Sequence, residues 1–324
     1  MSEFLSVKDL VVRYDTDDAV VRALNGVSLS LQEGETLGLV GETGAGKTTL
    51  ARSIMGLIPS PPGVIESGEV LYGDEDLLKV PERRMREIRG KHISMVFQDP
   101  MTSLNPVMTV GEQIAEVLQN HENLHAKEAH CRACEMLEMV GINADRAGEY
   151  PHQFSGGMKQ RVVIAIALAC RPKVLIADEP TTALDVTIQA QVLEIMKRLR
   201  KELNMTMMLI THDLGVVAQN CDNVAIIYAG EIVEYGTVHE IFKERVHPYT
   251  IGLFDSIPKM NEDVTRLKPI VGLMPDPTDL PCGCKFHERC QYCTEECKER
   301  VPEMVQLSPT HQVRCIHWKE VAAK

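Results

Sequence analysis

The eight residues Gly41-Glu-Thr-Gly-Ala-Gly-Lys-Thr48 constrain this chain more than any other stretch. They follow Thr36 to Val40, an apolar run too short for a helix, and they precede a helix-forming segment from Thr48 to Leu57. Glycines at this spacing let backbone amides turn inward around phosphate oxygens. Lys47 then reaches the β and γ oxygens, and the Thr48 hydroxyl can ligate Mg²⁺. Strand, glycine loop and helix open a βα unit, the building block of a parallel sheet. The spacing predicts nucleotide binding by Gly41, Glu42, Thr43, Gly44, Ala45, Gly46, Lys47, Thr48 and Thr49.

A phosphate loop needs acidic partners. The apolar Val174-Leu-Ile-Ala177 ends in Asp178-Glu179. Asp178 at a strand end can hold the Mg²⁺ shell, and Glu179 beside it can orient or deprotonate an attacking water. Upstream lies Phe154-Ser-Gly-Gly-Met158. There Ser155, Gly156 and Gly157 open a helix, and a helix N-terminus attracts anions such as a γ-phosphate.

The rest of the chain reads as sheet, then helices, then alternating strand and helix. Leu5 to Tyr14 and Leu24 to Leu31 alternate like half-buried strands, and residues 63 to 80 read as a hairpin turning at Glu66-Ser-Gly-Glu69. Thr109 to about Arg146 carries apolar residues at helical spacing, including Val110, Ile114 and Leu118. Short strands at Val174–Ala177 and Met207–Ile210 flank a helix from about Ile188 to Leu203. Near residue 253 this gives way to a passage with Pro258, Pro269, Pro275, Pro277 and Pro281, expected to be a linker.

Charge narrows the partners. With 34 basic and 46 acidic side chains the net charge is −12, which argues against nucleic acid, since non-specific binding needs a basic footprint. The longest apolar run, Val162 to Cys170, is far short of the roughly 20 residues that span a bilayer. Glu3, Lys8 and Asp9 leave no secretory apolar region near Met1. The expectation is an intracellular protein that reaches a membrane only through a partner.

Six of the ten cysteines crowd between Cys282 and Cys315. In a reducing compartment such crowding reads as metal binding rather than disulfides. From Cys282 onward there are 7 basic and 6 acidic side chains, a shift from the acidic remainder that marks a second module. Close pairs for zinc are available only as Cys282-x-Cys284 or Cys290-x2-Cys293, so the choice among the six stays open.

These motifs, in this order, resemble the ATP-binding cassette ATPases of ABC transporters. Phe154-Ser-Gly-Gly-Met158 matches the LSGGQ signature except at its first and last positions. Tyr14 falls where the family stacks an aromatic on adenine. Gln98 in Val96-Phe-Gln-Asp-Pro100 is similar to the Q-loop, Asp185 in Ala183-Leu-Asp185 to the D-loop, and His212 in Thr211-His-Asp213 to the switch histidine. The resemblance covers about residues 4 to 253. It implies an α/β P-loop NTPase with a RecA-like parallel sheet, an antiparallel β subdomain and a helical subdomain at about 100–165. A small Cys-rich domain at 254–324 follows this 1–253 ATPase domain. It also implies ATP and Mg²⁺ as ligands, with Thr48, Gln98 and Asp178 around the metal. Lys47 would act on the leaving phosphate, Glu179 on water and His212 on the γ-phosphate. Two cassettes would sandwich ATP, Ser155, Gly156 and Gly157 coming from the opposite one.

The match narrows further. Thr182 to Gln191, His247-Pro-Tyr-Thr-Ile-Gly-Leu253 and Gly283-Cys-Lys-Phe-His-Glu-Arg-Cys290…Cys297…Pro302…His311…Cys315 resemble the ATPase subunits of dipeptide and oligopeptide permeases. Nickel permease ATPases share part of the pattern. The resemblance implies peptide import at the cytoplasmic face of a cell membrane. It also implies a second ATPase subunit (a paralogue or another copy), two membrane permease subunits and an extracellular or periplasmic peptide-binding protein. It favours a [4Fe–4S] cluster on Cys284, Cys290, Cys297 and Cys315, with zinc as the alternative.

Overall fold

The computed structural model describes residues 4–182, 184–256 and 269–323, and the D-loop's Ala183 and the expected linker's Pro258 lie outside them. The described chain divides into two compact units. One unit comprises the described residues among 5–30, 37–74 and 211–323, the other Phe4 and the described residues among 31–36 and 75–210.

The first unit opens with β1 (Leu5–Asp15), β2 (Val20–Leu31), β3 (Thr36–Val40), α1 (Lys47–Ile54) and β4 (Gly63–Tyr72). β1 pairs antiparallel with β4. The turn expected at Glu66–Glu69 is not formed: these residues run within β4, opposite an irregular stretch of β1 between Lys8 and Val12. Gly68 adopts φ 109, and a Cβ there would stand 2.6 Å from the Leu10 Cα. The Ser-Gly chemistry that signals a turn serves a bulge here, because pairing with β1 satisfies the backbone.

The second unit carries α2 (Glu82–Ile88), β5 (Ile93–Val96), a single turn at Pro100–Ser103, α3 (Val110–Glu122), α4 (Ala126–Met139), α5 (Gly156–Leu168), β6 (Val174–Asp178), α6 (Val186–Leu203) and β7 (Thr206–Thr211). β5, β6 and β7 form a parallel ladder in that order, as continuous apolar strands buried on both faces should. The run from Val162 to Cys170 occupies the C-terminal half of α5 and ends just beyond it. Val162, Ile164, Ala165 and Leu168 are fully buried, since a helix apolar all round belongs in a core.

The first unit resumes with α7 (Leu214–Asn220), β8 (Asn223–Tyr228), β9 (Glu231–Thr237), α8 (Val238–Lys243) and α9 (Pro248–Asp255). The tail adds α10 (Glu295–Glu299), β10 (Val305–Gln306), β11 (Gln312–Val313) and α11 (Trp318–Ala322). β3 pairs parallel with β8, and β9, β11 and β10 continue outward antiparallel. His247-Pro-Tyr249 starts α9: the His247 side chain accepts from the Tyr249 amide at 3.1 Å, and Pro248 occupies the first turn. Residues of the tail pack into this unit's core. Phe286 packs with Val40, Tyr228 and Tyr249, and buried His311 bonds Glu234 at 3.0 Å.

Candidate functional site

In the first unit the phosphate loop leads directly into α1. Its glycines are required by close packing as much as by dihedral angle. A Cβ on Gly41 would stand 2.3 Å from the Ile227 carbonyl, and one on Gly46 (φ 105) 2.7 Å from the Ala23 carbonyl. Lys47 is 7% exposed, and its ammonium donates to the Gly41 carbonyl at 2.7 Å and the Glu42 carbonyl at 3.0 Å. The cation that should meet phosphate is thereby held within the loop. Thr48 and Thr49 lie in the first turn of α1, and Gly44 (φ 85) lies under Met274. Tyr14 is half-buried on β1 opposite Gly63. His212 is exposed just after Thr211, and Asp213 caps α7 by accepting from the Gly215 amide at 2.7 Å.

Two residues at this loop escaped the motif reading. Arg289 donates two bonds to the Glu42 carboxylate, at 2.7 and 3.0 Å, and the Glu42 amide donates to the Tyr249 hydroxyl at 2.9 Å. Tyr249 and Arg289 both stand inside segments that carry the permease resemblance, which is the only signal the sequence holds for them.

The second unit brings Gln98 and Glu179 together across 81 positions. The Gln98 amide donates to the Glu179 carboxylate at 3.0 Å, and the Thr182 hydroxyl donates to the same oxygen at 2.9 Å. Glu179 adopts φ 45, a costly conformation for a residue with a long side chain, stabilised by its amide bonding the Ile210 carbonyl at 2.9 Å. Asp178, 2% exposed, ends β6 just before it. A buried carboxylate is thus followed directly by a strained and doubly hydrogen-bonded one.

In the signature segment Ser155 caps α5, its hydroxyl accepting from the Met158 amide at 3.4 Å. Gly156 is 3.8 Å from Leu184 by its would-be Cβ, whereas that of Gly157 would stand 2.3 Å from the Ile188 Cγ2. Phe154, where the signature departs from leucine, is buried under the Arg146 guanidinium, which lies 4.3 Å from the ring centre. Asp185 caps α6 by accepting from the Ile188 amide at 3.0 Å.

The cysteine tail gathers the same four residues that the resemblance favours. Cys284, Cys290, Cys297 and Cys315 line one small cavity with Phe286 and His317, whereas Cys282 and Cys293 lie outside its lining. Gly283 makes this possible: a Cβ there would stand 2.3 Å from the Cys297 carbonyl, so only glycine lets Cys284 bond Cys297 backbone to backbone at 2.8 Å. Burial, with neighbouring thiols adding to it, pushes Cys284 up to about 12 and Cys290 and Cys315 up to about 11. Among the described residues, no group of three or more His, Cys, Asp or Glu side chains is arranged to hold a metal ion. Among the same residues no helix is long and apolar enough to cross a membrane.

Comparison with known proteins identifies the family of the chain. The family described as ABC transporter matches residues 24–182, and the family described as Oligopeptide/dipeptide transporter, C-terminal region, matches residues 233–297. The oligopeptide transport ATP-binding protein OppD of Bacillus subtilis (strain 168) is 51% identical over 97% of this chain and 88% of its own length. The dipeptide transport ATP-binding protein DppD of the same organism is 47% identical over 97% of this chain and 95% of its own. The dimeric post-hydrolysis structure of the ATP-binding cassette MJ0796 bound to ADP and Pi is 29% identical, with a TM-score of 0.65. It covers 72% of this chain and 98% of that one. With the ABC ATPase fold, its motifs and relatives near 50% identity all agreeing, the chain belongs to the ATP-binding proteins of ABC transporters, in the branch that carries the oligopeptide/dipeptide transporter C-terminal region.

Proposed function

We propose that this chain is the ATP-hydrolysing subunit that energises import of dipeptides or oligopeptides through a membrane permease. The observation that carries the reading is Glu179, held by Gln98 and Thr182 immediately after the buried Asp178. Hydrolysis of a phosphoanhydride is mostly positioning and charge stabilisation. Lys47 bears on the leaving phosphate, Glu179 orients and deprotonates water, and His212 bonds the γ-phosphate. Thr48, Asp178 and Gln98 hold Mg²⁺, which when bound offsets phosphate charge. Tyr14 stacks on adenine, and Ser155, Gly156 and Gly157 close on the triphosphate of a second cassette beside Asp185. Closure of the two cassettes moves two membrane permease subunits at the cytoplasmic face of the membrane, and a peptide-binding protein delivers the cargo. The relatives OppD and DppD bear oligopeptide and dipeptide names, which supports peptide cargo over nickel.

The chain is further read as an ATPase domain at 1–253, its helical part at about 100–165, followed by a Cys-rich region at 254–324. Within the latter, Cys284, Cys290, Cys297 and Cys315 are the ligands of a [4Fe–4S] cluster. The sharing of one small cavity by these four residues supports reading them as a common ligand set, with zinc as the alternative occupant. When bound, such a centre contributes folding energy to a segment with little apolar core of its own.

The test is Glu179→Gln. The variant should bind ATP normally, accumulate a closed dimer and lose turnover by about a hundredfold or more, the usual effect of removing a general base. Steady-state hydrolysis within a few-fold of the unaltered protein would overturn the assignment.

A further inference from the structure

We propose that Arg289 is a positioning residue for the phosphate loop. It neutralises and fixes Glu42, so that the loop attracts a triphosphate with a net positive field. This goes beyond peptide import and needs no bound metal.

The second position of the loop is a carboxylate, an anion placed within a structure whose task is to hold anions. Within Gly41 to Thr48 its charge cancels that of Lys47. The guanidinium of Arg289 restores the balance to +1. Its two parallel bonds to the Glu42 oxygens, 2.7 and 3.0 Å, are the fork geometry that arginine makes with carboxylates and lysine does not. The Arg289 side chain is 6% exposed and Glu42 31%, so the pair is shielded on the arginine side. Further bonds to described residues hold the guanidinium in place: it donates to the Tyr228 hydroxyl at 3.3 Å, the Val271 carbonyl at 3.3 Å and the Ile270 carbonyl at 3.5 Å.

The support beneath is aromatic. Phe286, three residues before Arg289 and 3% exposed, sits edge-on to Tyr228 with ring centres 5.2 Å apart and packs on Tyr249 at 5.5 Å. Tyr249 in turn accepts the Glu42 amide. One buried aromatic cluster thus fixes both ends of the ion pair, and the tail segment from Phe286 to Cys290 acts as a strap on the phosphate loop. If the tail comes away, Arg289 leaves with it and the Glu42 charge opposes nucleotide.

The experiment compares Arg289→Gln, Glu42→Gln, the double variant and Arg289→Lys in the full chain, with a fluorescent ATP analogue for Kd and steady-state turnover for KM and kcat. Arg289→Gln should weaken nucleotide binding about three- to tenfold, the scale of one partly screened charge beside an anion site, with the loss falling on KM. The double variant should recover most of that loss, because no bare carboxylate remains. Arg289→Lys should lie between the unaltered protein and Arg289→Gln, keeping the charge but not the fork. The Arg289→Gln effect should shrink as salt rises. A merely structural role would leave the double variant as impaired as Arg289→Gln, and that result, or an unchanged Kd in Arg289→Gln, overturns the proposal. Should Arg289→Gln prove unfolded by circular dichroism, Glu42→Gln decides alone. It leaves Arg289 unopposed and should tighten nucleotide binding, and equal or weaker binding refutes the charge argument.

Discussion

Replacing Gly157 by alanine tests whether the signature glycine is there for packing. Gly157 is the second residue of α5, and its would-be Cβ lies 2.3 Å from Ile188 Cγ2, 3.5 Å from Ile188 Cβ and 3.8 Å from Ile188 Cγ1. Carbon atoms prefer about 3.5–4.0 Å, so the overlap exceeds an ångström. Ile188 cannot easily swing away, because a β-branched side chain in a helix has one strongly preferred rotamer. The new methyl must therefore push α5 from α6. Overpacking of this kind costs about 1–3 kcal/mol, against a gain of about 0.5–1 kcal/mol for replacing glycine by alanine within a helix. Gly157→Ala should lose about 1–2 kcal/mol in guanidinium unfolding at constant m-value. ATPase activity should fall as well, since Ser155 and Gly156 move with the displaced helix start. Ile188→Ala removes the clashing carbon. In a double-mutant cycle the pair should show a favourable coupling of about 1–2 kcal/mol. A Gly157→Ala protein as stable as its parent, with no coupling to Ile188, would refute the reasoning.

Tyr14→Ala should raise the apparent KM for ATP by up to about tenfold, as loss of a stacking contact of about 1 kcal/mol does, while Tyr14→Phe stays near the parent; an unchanged KM in the alanine variant returns Tyr14 to the strand. Glu240 holds the tail: although burial opposes it, bonds from Ser308, Thr237 and Thr310 keep its carboxyl down at about 2. Its folded pKa lies below its ordinary value, so its stabilisation is complete above about pH 4.5 and is lost as pH falls toward 2. Glu240→Gln should therefore melt earlier at neutral pH, by about 1 kcal/mol, with the gap closing in acid, and a pH-independent gap would refute the link. Protein purified without oxygen should be brown with near four irons and four sulfides per chain, and Cys290→Ser should bleach it; colourless protein with one zinc would exclude the cluster and leave the ATPase reading intact.

Local stereochemistry is legible in the amino-acid order alone. Gly41 to Thr48 can be read because backbone amides turn around phosphate only through glycines at set positions. Asp178 and Ser155 can be read because a strand end and a helix cap are local events, and the structure builds both as expected. Where local chemistry competed with pairing, it misled. Glu66 to Glu69 has turn residues, yet the backbone bonds offered by β1 outweighed the turn and left a bulge. The contacts that close over long separations are settled by the folded chain, even where the family resemblance had already grouped the residues. Gln98 meets Glu179 across 81 positions, and Arg289 meets Glu42 across 247. Cys284 and Cys315 line one cavity because Gly283 admits the Cys297 backbone and Phe286 is drawn into an aromatic core. No periodicity encodes such meetings. They arise from burying apolar surface, which acts without direction, and the polar partners are then those side chains that packing happens to bring within reach.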